Sequence, residues 1–239
     1  MGEGGLPGAL LLAALAGASA PVGAWLATRD GVLPGWLREE FRHTVTAFGG
    51  GALISAVALV LVPEGSAALP AAAALAAFAA GGFAFFLLDR ALERRGGHVA
   101  QFMAMLLDYL PEAMALGAML GGAPRTAALL AFLIALQNLP EGFNAWREMH
   151  RGRATNPRRL ALLFGLMLPA GMGAAWLGVA VLAEAQAALG AVMLFAAGGI
   201  LYIVFEDVAP QAPLDRHWSP PLGAVAGFLL GLAGYLATG

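Results

Sequence analysis

Long apolar stretches follow one another along almost the whole of this 239-residue chain. Each covers about 20 residues, the length that an α-helix needs to cross the hydrocarbon core of a bilayer. Hydrophobic residues make up 60% of the sequence and charged residues only 12%, against about 25% in a soluble domain. The pattern predicts an all-α polytopic membrane protein with eight transmembrane helices in one domain, residues 1–239. The predicted spans lie near 6–28, 42–62, 68–90, 99–121, 124–146, 159–183, 187–208 and 220–238.

The first span shares one feature with a signal peptide, because its small residues Ala18, Ser19 and Ala20 are typical of a cleavage site. A signal peptide also needs a basic segment before its apolar stretch. Glu3 is the only charged residue before Arg29. We therefore expect this segment to be retained as the first helix.

The arginines indicate the orientation of the chain in the membrane. The sequence has no lysine, and all 13 basic residues are arginine. With eight spans, one side of the membrane receives Arg29, Arg38, Arg42, Arg90, Arg94, Arg95, Arg147, Arg151, Arg153, Arg158, Arg159 and Arg216, and the other receives only Arg125. The positive-inside rule makes the arginine-rich side cytoplasmic. Both termini are then expected outside.

Two similar motifs lie in the middle of the fourth and fifth spans, at 108–113 (Asp-Tyr-Leu-Pro-Glu-Ala) and 137–142 (Gln-Asn-Leu-Pro-Glu-Gly). In each, a polar side chain precedes a glutamate by four residues, so both lie on one helix face. The proline before each glutamate cannot donate a backbone hydrogen bond, which leaves a carbonyl free nearby. These motifs predict a binding site formed by Asp108, Glu112, Gln137 and Glu141.

The chemistry of these four side chains favours a cation. Three carboxylates in one lipid-buried pocket repel each other unless a cation or protons neutralise them. An all-oxygen ligand set suits Mn²⁺, Fe²⁺, Mg²⁺ or a tolerant Zn²⁺ site and does not favour Cu⁺. The alternative is structural, with protonated carboxylates that only hydrogen-bond neighbouring helices.

Further polar residues lie nearer the ends of the predicted spans or in the connections between them. Asp89 and Glu206 lie toward the predicted cytoplasmic ends of the third and seventh spans, where they could form an exit station for metal or simply be charged helix ends. Glu64 follows a proline at the predicted outer end of the second span and could meet metal from outside. The four histidines all fall in or beside the predicted cytoplasmic connections, and they are His43, His98, His150 and His217.

The motif at 137–142 resembles the fifth-helix motif of the ZIP (zinc- and iron-regulated transporter-like) family, which is close to His-Asn-x-Pro-Glu-Gly, and 108–112 resembles a variant of the fourth-helix motif. The segments 48–64, 81–89 and 198–210 are also similar to that family. The resemblance implies eight helices, both termini outside, and divalent metal transport by alternating access.

The chain departs from the family pattern at the second position of its two-metal centre. Tyr109 stands where the family has an asparagine, and Leu168 stands where many members have a glutamate. Of the ligands particular to that position only Asn138 remains. We therefore expect a single metal site. The loop around His98 is short and holds no other histidine, so we do not expect metal sensing by that loop.

These expectations combine into one functional prediction: a non-enzymatic importer of divalent metal (zinc, iron or manganese) across a bacterial inner membrane. The metal is the transported substrate, and no prosthetic group is expected. The expected partners are the metal ion and the lipid bilayer, with no nucleic acid and with a homodimer left open. Three alternatives remain, namely an intramembrane carboxylate-dependent hydrolase, a proton-coupled carrier of organic cations, and a non-catalytic assembly protein.

Overall fold

The computed structural model describes residues 5–29, 35–95, 98–150, 156–212 and 218–238, and these form helices joined by short turns with no strand among them. Five helices are continuous and α-helical: α1 (Gly5–Ala27), α3 (Ala71–Arg95), α4 (His98–Met119), α5 (Pro124–His150) and α8 (Ser219–Thr238). The other three each include a π-helical turn. They are α2 (Gly35–Ala56, Val57–Leu61 and Val62–Ala67), α6 (Pro157–Gly165, Met167–Leu177 and Gly178–Leu182) and α7 (Gln186–Ile203, Val204–Val208 and Ala209–Gln211).

The helices follow the order of the predicted spans, but several extend beyond the apolar stretch. The helix α2 begins at Gly35 rather than near residue 42, and α3 ends at Arg95 rather than near residue 90. Helical hydrogen bonding does not end where the apolar residues end, so polar residues continue the helix. Hydropathy alone therefore places the start of α2 too late and the end of α3 too early.

Seven helices in the described part of the chain are long and apolar enough to cross a membrane. The helix α4 is not one of the seven. It carries the charged residues Asp108 and Glu112. The side chains at 98–101 and 104 in this helix lie outside the described residues. Large apolar side chains face outward on several helices, including Leu75, Phe83 and Trp176. Such an exposed apolar surface is expected of a helical bundle surrounded by lipid.

Glycines bring the eight helices together as four close pairs. In the α1–α5 pair, a methyl group added at Gly23 would collide with the carbonyl of Leu139, and one added at Gly142 would collide with the carbonyl of Ala20. The same reciprocal contact joins α2 to α8, α3 to α7 and α4 to α6, through Gly51 with Gly227, Gly81 with Gly198, and Gly117 with Gly178. Small residues that allow close backbone approach are the usual basis of helix packing in membranes.

The four pairs form two groups that meet at the predicted site. The helices α1, α4, α5 and α6 all pack against one another except α5 with α6, whereas α2 packs against both α8 and α7. Contacts between the groups are made chiefly by α2 with α5 and by α4 with α7, and further contacts join α5 to α8, α4 to α3 and α6 to α7. Both site-bearing helices therefore face the boundary between the groups.

Candidate cation site

The antiparallel course of α4 and α5 sets the two motifs side by side. A short turn joins Met119 to Pro124, so residues early in α4 lie level with residues late in α5. At one level the side-chain amide nitrogen of Gln137 donates a 2.6 Å hydrogen bond to Oε2 of Glu112. One turn nearer the arginine-bearing connections, Asp108 and Glu141 line the same cavity.

At the level of Glu112 and Gln137 along the helices, the interior of the bundle is closed to solvent. Both side chains are 0% exposed. Neither lines the cavity. Beyond them along α4 and α5, toward the turn at 120–123, the fully buried side chains of Leu116, Leu133 and Ile134 fill the interior. Apolar side chains are thus packed between this level and that end of the bundle.

Five buried oxygen atoms around the two motifs have no hydrogen-bond partner among the described residues. They are both carboxylate oxygens of Asp108, Oε1 of Glu112, Oε1 of Gln137 and Oδ1 of Asn138. Asp108 is only 3% exposed, so bulk water does not replace the missing donors on its side chain. A buried polar group without a partner costs about 1–3 kcal/mol. This concentration of unsatisfied acceptors favours a bound cation or bound protons.

A cavity of about 290 Å³ leads from Asp108 and Glu141 toward the arginine-bearing ends of the helices. Its lining comes from α2, α3, α4, α5 and α7, so it follows the boundary between the two helix groups. Six acidic residues line it, namely Asp89, Asp108, Glu141, Glu148, Glu206 and Asp207, and none of the described lining residues is arginine, lysine or histidine. The cavity is therefore strongly acidic.

The outer part of the cavity brings α3 and α7 together. Tyr202 donates a 3.0 Å hydrogen bond to Oδ2 of Asp89, and Gln211 donates to Asp207. Glu206 lies in the π-helical turn Val204–Val208 and is exposed. Asp89 and Glu206, named from the sequence as a candidate exit station, thus line one cavity with Asp108.

Asn138 faces a different way from its neighbour Gln137. Its amide nitrogen lies 3.4 Å from the carbonyl oxygen of Ala16 in α1, and the side chain is fully buried. The hydroxyl of Tyr109 donates a 2.7 Å hydrogen bond to the carbonyl of Ala13, also in α1. A methyl group at Gly17 would lie 2.6 Å from that hydroxyl, so glycine makes room for the phenol. Tyr109 and Asn138 both contact α1 and do not line the cavity.

Glu64 and His43, which the sequence also offers as polar residues of interest, do not line the cavity. Glu64 is exposed near the opposite end of α2 and does not line it. His43 is the one histidine whose side chain is described; its Nδ1 lies 2.6 Å from the carbonyl oxygen of Gln211, and its Nε2 lies 3.0 Å from Arg42. The side chains of His98, His150 and His217 lie outside the described residues.

The donor chemistry fits a hard divalent cation, although the carboxylates are spread over two levels. No group of three or more His, Cys, Asp or Glu side chains that could hold a metal ion occurs in the described ranges. A cation in this conformation would thus need amide or main-chain oxygens beside carboxylates. Pro111 has no N–H to give to the carbonyl of Leu107, and Leu107 lines the cavity.

Some polar residues of the cavity wall lie outside the two sequence motifs, and the clearest is Asn144. Its amide nitrogen donates a 2.9 Å hydrogen bond to Oγ1 of Thr46 in α2, and both residues line the cavity. Gln137, Glu141, Asn144 and Glu148 are spaced by four, three and four residues, which is one stripe along a helix. That spacing was the signal that could have identified Asn144.

Comparison of the chain with models of known protein families and with curated proteins finds no match in either case.

Proposed function

We propose that this chain is a divalent metal transporter of the zinc, iron and manganese class, which imports metal across a bacterial inner membrane by alternating access. The observation that carries the proposal is Asp108, a 3% exposed carboxylate whose two oxygens have no hydrogen-bond partner among the described residues and which lies at the inner end of an acidic cavity. The resemblance of the α4 and α5 motifs to the ZIP family points to the same function.

Electrostatics supports a cationic cargo. Burial of a carboxylate away from water is costly unless an opposite charge or a proton neutralises it. The acidic residues that line the cavity lower the energy of a cation inside it. A dication can replace the hydrogen-bond donors that Asp108, Glu112 and Gln137 lack.

The surroundings of α4 support an eighth membrane crossing. Contacts with α1, α5 and α6 surround the helix, so protein rather than lipid covers Asp108 and Glu112. Eight crossings place twelve arginines on the cytoplasmic side and one outside, with both termini outside. The cavity opens toward the ends of the helices that carry Arg42, Arg90 and Arg147, so this conformation faces the cytoplasm.

Transport requires the closed level to open toward the other side. In the proposed cycle, α4 and α5 move with α1 and α6 against α2, α3, α7 and α8, and Glu112 and Gln137 then become reachable from outside. The cation passes from Glu112 and Gln137 to Asp108 and Glu141 as the helices move. Asp89, Asp207 and Glu206 would receive it at the mouth of the cavity.

Metal binding by the purified full-length protein tests the proposal. We expect equilibrium dialysis with Mn²⁺, Zn²⁺ and Fe²⁺ to give one saturable site per chain for at least one of these ions. Asp108→Asn should weaken that binding about tenfold or more. Glu184→Gln is the matched control because Glu184 is exposed in the turn between α6 and α7. Absence of saturable binding, or equal binding by native protein and Asp108→Asn, would refute the proposal.

A carrier of small organic cations is the second candidate, and the size of the cavity favours it. About 290 Å³ exceeds the space that a bare metal ion needs, and the aromatic residues Phe85 and Tyr202 are among the residues that line it, as in sites that bind ammonium groups. In the same dialysis experiment, displacement of Mn²⁺ by tetramethylammonium or a polyamine at micromolar concentration would favour this candidate. Displacement by other divalent metals alone favours the metal transporter.

A further inference from the structure

Asn144 is a polar side chain in a position that neither of the two motifs includes. It follows Glu141 by three residues, so both side chains lie on the same face of α5. At 1.5 Å per residue, Asn144 is about 4.5 Å farther along the helix than Glu141, on the side of the cavity mouth. Both line the cavity together with Asp108.

The hydrogen bond to Thr46 fixes which end of the Asn144 amide remains for the cavity. The amide nitrogen donates to Oγ1 of Thr46 at 2.9 Å. Thr46 is buried and in turn donates a 3.1 Å hydrogen bond to the carbonyl of Arg42 in its own helix. The hydroxyl therefore has its own acceptor and accepts from Asn144. This leaves the amide oxygen as the contribution of Asn144 to the cavity, and amide oxygens are ordinary ligands of hard divalent cations.

The ligand set at this level is otherwise short of oxygen atoms. Asp108 and Glu141 line the cavity, whereas Glu112 and Gln137 are bonded to each other at the closed level. The described ranges hold no group of three acidic or histidine side chains that could bind a metal. A neutral oxygen beside Asp108 and Glu141 adds a ligand without adding a third repelling charge.

We propose that Asn144 is a further cation-binding residue, whose amide oxygen joins Asp108 and Glu141 in holding a divalent cation on the cytoplasmic side of the site, with Thr46 as its positioning residue. This inference rests on the proposed function. It also assigns a role to the hydrogen bond that joins the side chains of Asn144 in α5 and Thr46 in α2 at the cavity. Cation binding and the contact between the two helix groups thereby share one side chain.

Mn²⁺ dialysis of four variants of the full chain tests the assignment. Asn144→Leu removes the oxygen at similar volume and should weaken Mn²⁺ binding about tenfold. Asn144→Asp keeps an oxygen, adds charge, and should bind Mn²⁺ at least as tightly as the native protein. Thr46→Val leaves the Asn144 oxygen in place and should weaken binding less than Asn144→Leu. Gln186→Leu, at an exposed position at the start of α7, should bind as the native protein does.

The outcomes separate a ligand from a structural contact. If Asn144→Leu binds Mn²⁺ as tightly as the native protein while Asp108→Asn does not, the inference fails and the proposed function stands. If Asn144→Asp and Thr46→Val lose as much affinity as Asn144→Leu, Asn144 only joins α2 to α5, and the inference again fails. A native protein that binds none of Mn²⁺, Zn²⁺ and Fe²⁺ refutes the proposed function itself. Gel filtration of each variant establishes that it is folded before binding is compared.

Discussion

Gln137 donates a 2.6 Å hydrogen bond to Glu112 across the α4–α5 interface, in a part of the bundle where both side chains are fully buried. This bond joins the two motifs at the level that is closed in this conformation. The second carboxylate oxygen of Glu112 and the amide oxygen of Gln137 have no partner in the described part of the structure. The pair therefore holds the interface together while keeping acceptors in place for a cation.

Replacement of Gln137 by leucine should destabilise the empty protein. The change removes the donor to Glu112 and leaves that carboxylate buried without a partner, which costs about 1–3 kcal/mol. We expect a lower midpoint of thermal unfolding in detergent, together with weaker metal binding. Gln186→Leu is the control, because Gln186 is exposed. An unchanged midpoint for Gln137→Leu would mean that the bond to Glu112 adds nothing to stability.

Removal of the Tyr109 hydroxyl should loosen the contact between α4 and α1. Tyr109→Phe loses the 2.7 Å hydrogen bond to the carbonyl of Ala13 and should cost about 0.5–1.5 kcal/mol of stability. Gly171→Ala should cost more, because the added methyl group would collide with the Tyr109 hydroxyl. Thermal unfolding measures both. The exposed Tyr235 provides a control in Tyr235→Phe, which should unfold at the native temperature.

Asp108→His should change the preference among metals. A carboxylate is a harder ligand than an imidazole, so the substitution should shift selectivity toward Zn²⁺ relative to Mn²⁺ by about tenfold. The measurement is competition between the two ions in dialysis of the native protein and the variant. If the ranking of the ions is the same for both proteins, Asp108 does not bind the metal.

Acidification should weaken metal binding. Protons and the metal compete for Asp108, Glu112 and Glu141, so a lower pH favours the proton-bound empty site, and metal binding releases protons. Glu141→Gln removes one competing carboxylate and should lower both the affinity and the number of protons released. Calorimetry in buffers of different ionisation enthalpy measures that number. Equal proton release by the native protein and the variant would show that Glu141 exchanges no proton for metal.

The sequence predicted the helices well because apolar length is a strong signal in a membrane protein. It also indicated that Asp108, Glu112, Gln137 and Glu141 share a helix interface, because four-residue spacing fixes a helix face whatever the tertiary structure. It could not indicate that the four side chains divide into a closed level and a cavity level. That division depends on how α2 and α7 pack against α4 and α5, and no local pattern encodes it.

Other parts of the site depend on packing between distant helices. Gly142, the last residue of the second motif, is required by the close approach of α1 at Ala20, which the motif itself does not indicate. Asp207 lines the cavity because the π-helical turn Val204–Val208 shifts the helical register within α7. Glu64 shares the Pro-Glu-Gly pattern and yet lies apart from the cavity, so the pattern alone does not place a glutamate in the cavity wall.

Metal flux tests the central claim most directly. Proteoliposomes containing the native protein, Asp108→Asn or the control Glu184→Gln are given external Mn²⁺ or Zn²⁺, and a metal-sensitive dye inside reports uptake. We predict saturable uptake by the native protein and by Glu184→Gln, and uptake by Asp108→Asn reduced at least about tenfold. Uptake of both metals no faster than in protein-free liposomes, or equal uptake by native protein and Asp108→Asn, would contradict transport through this site.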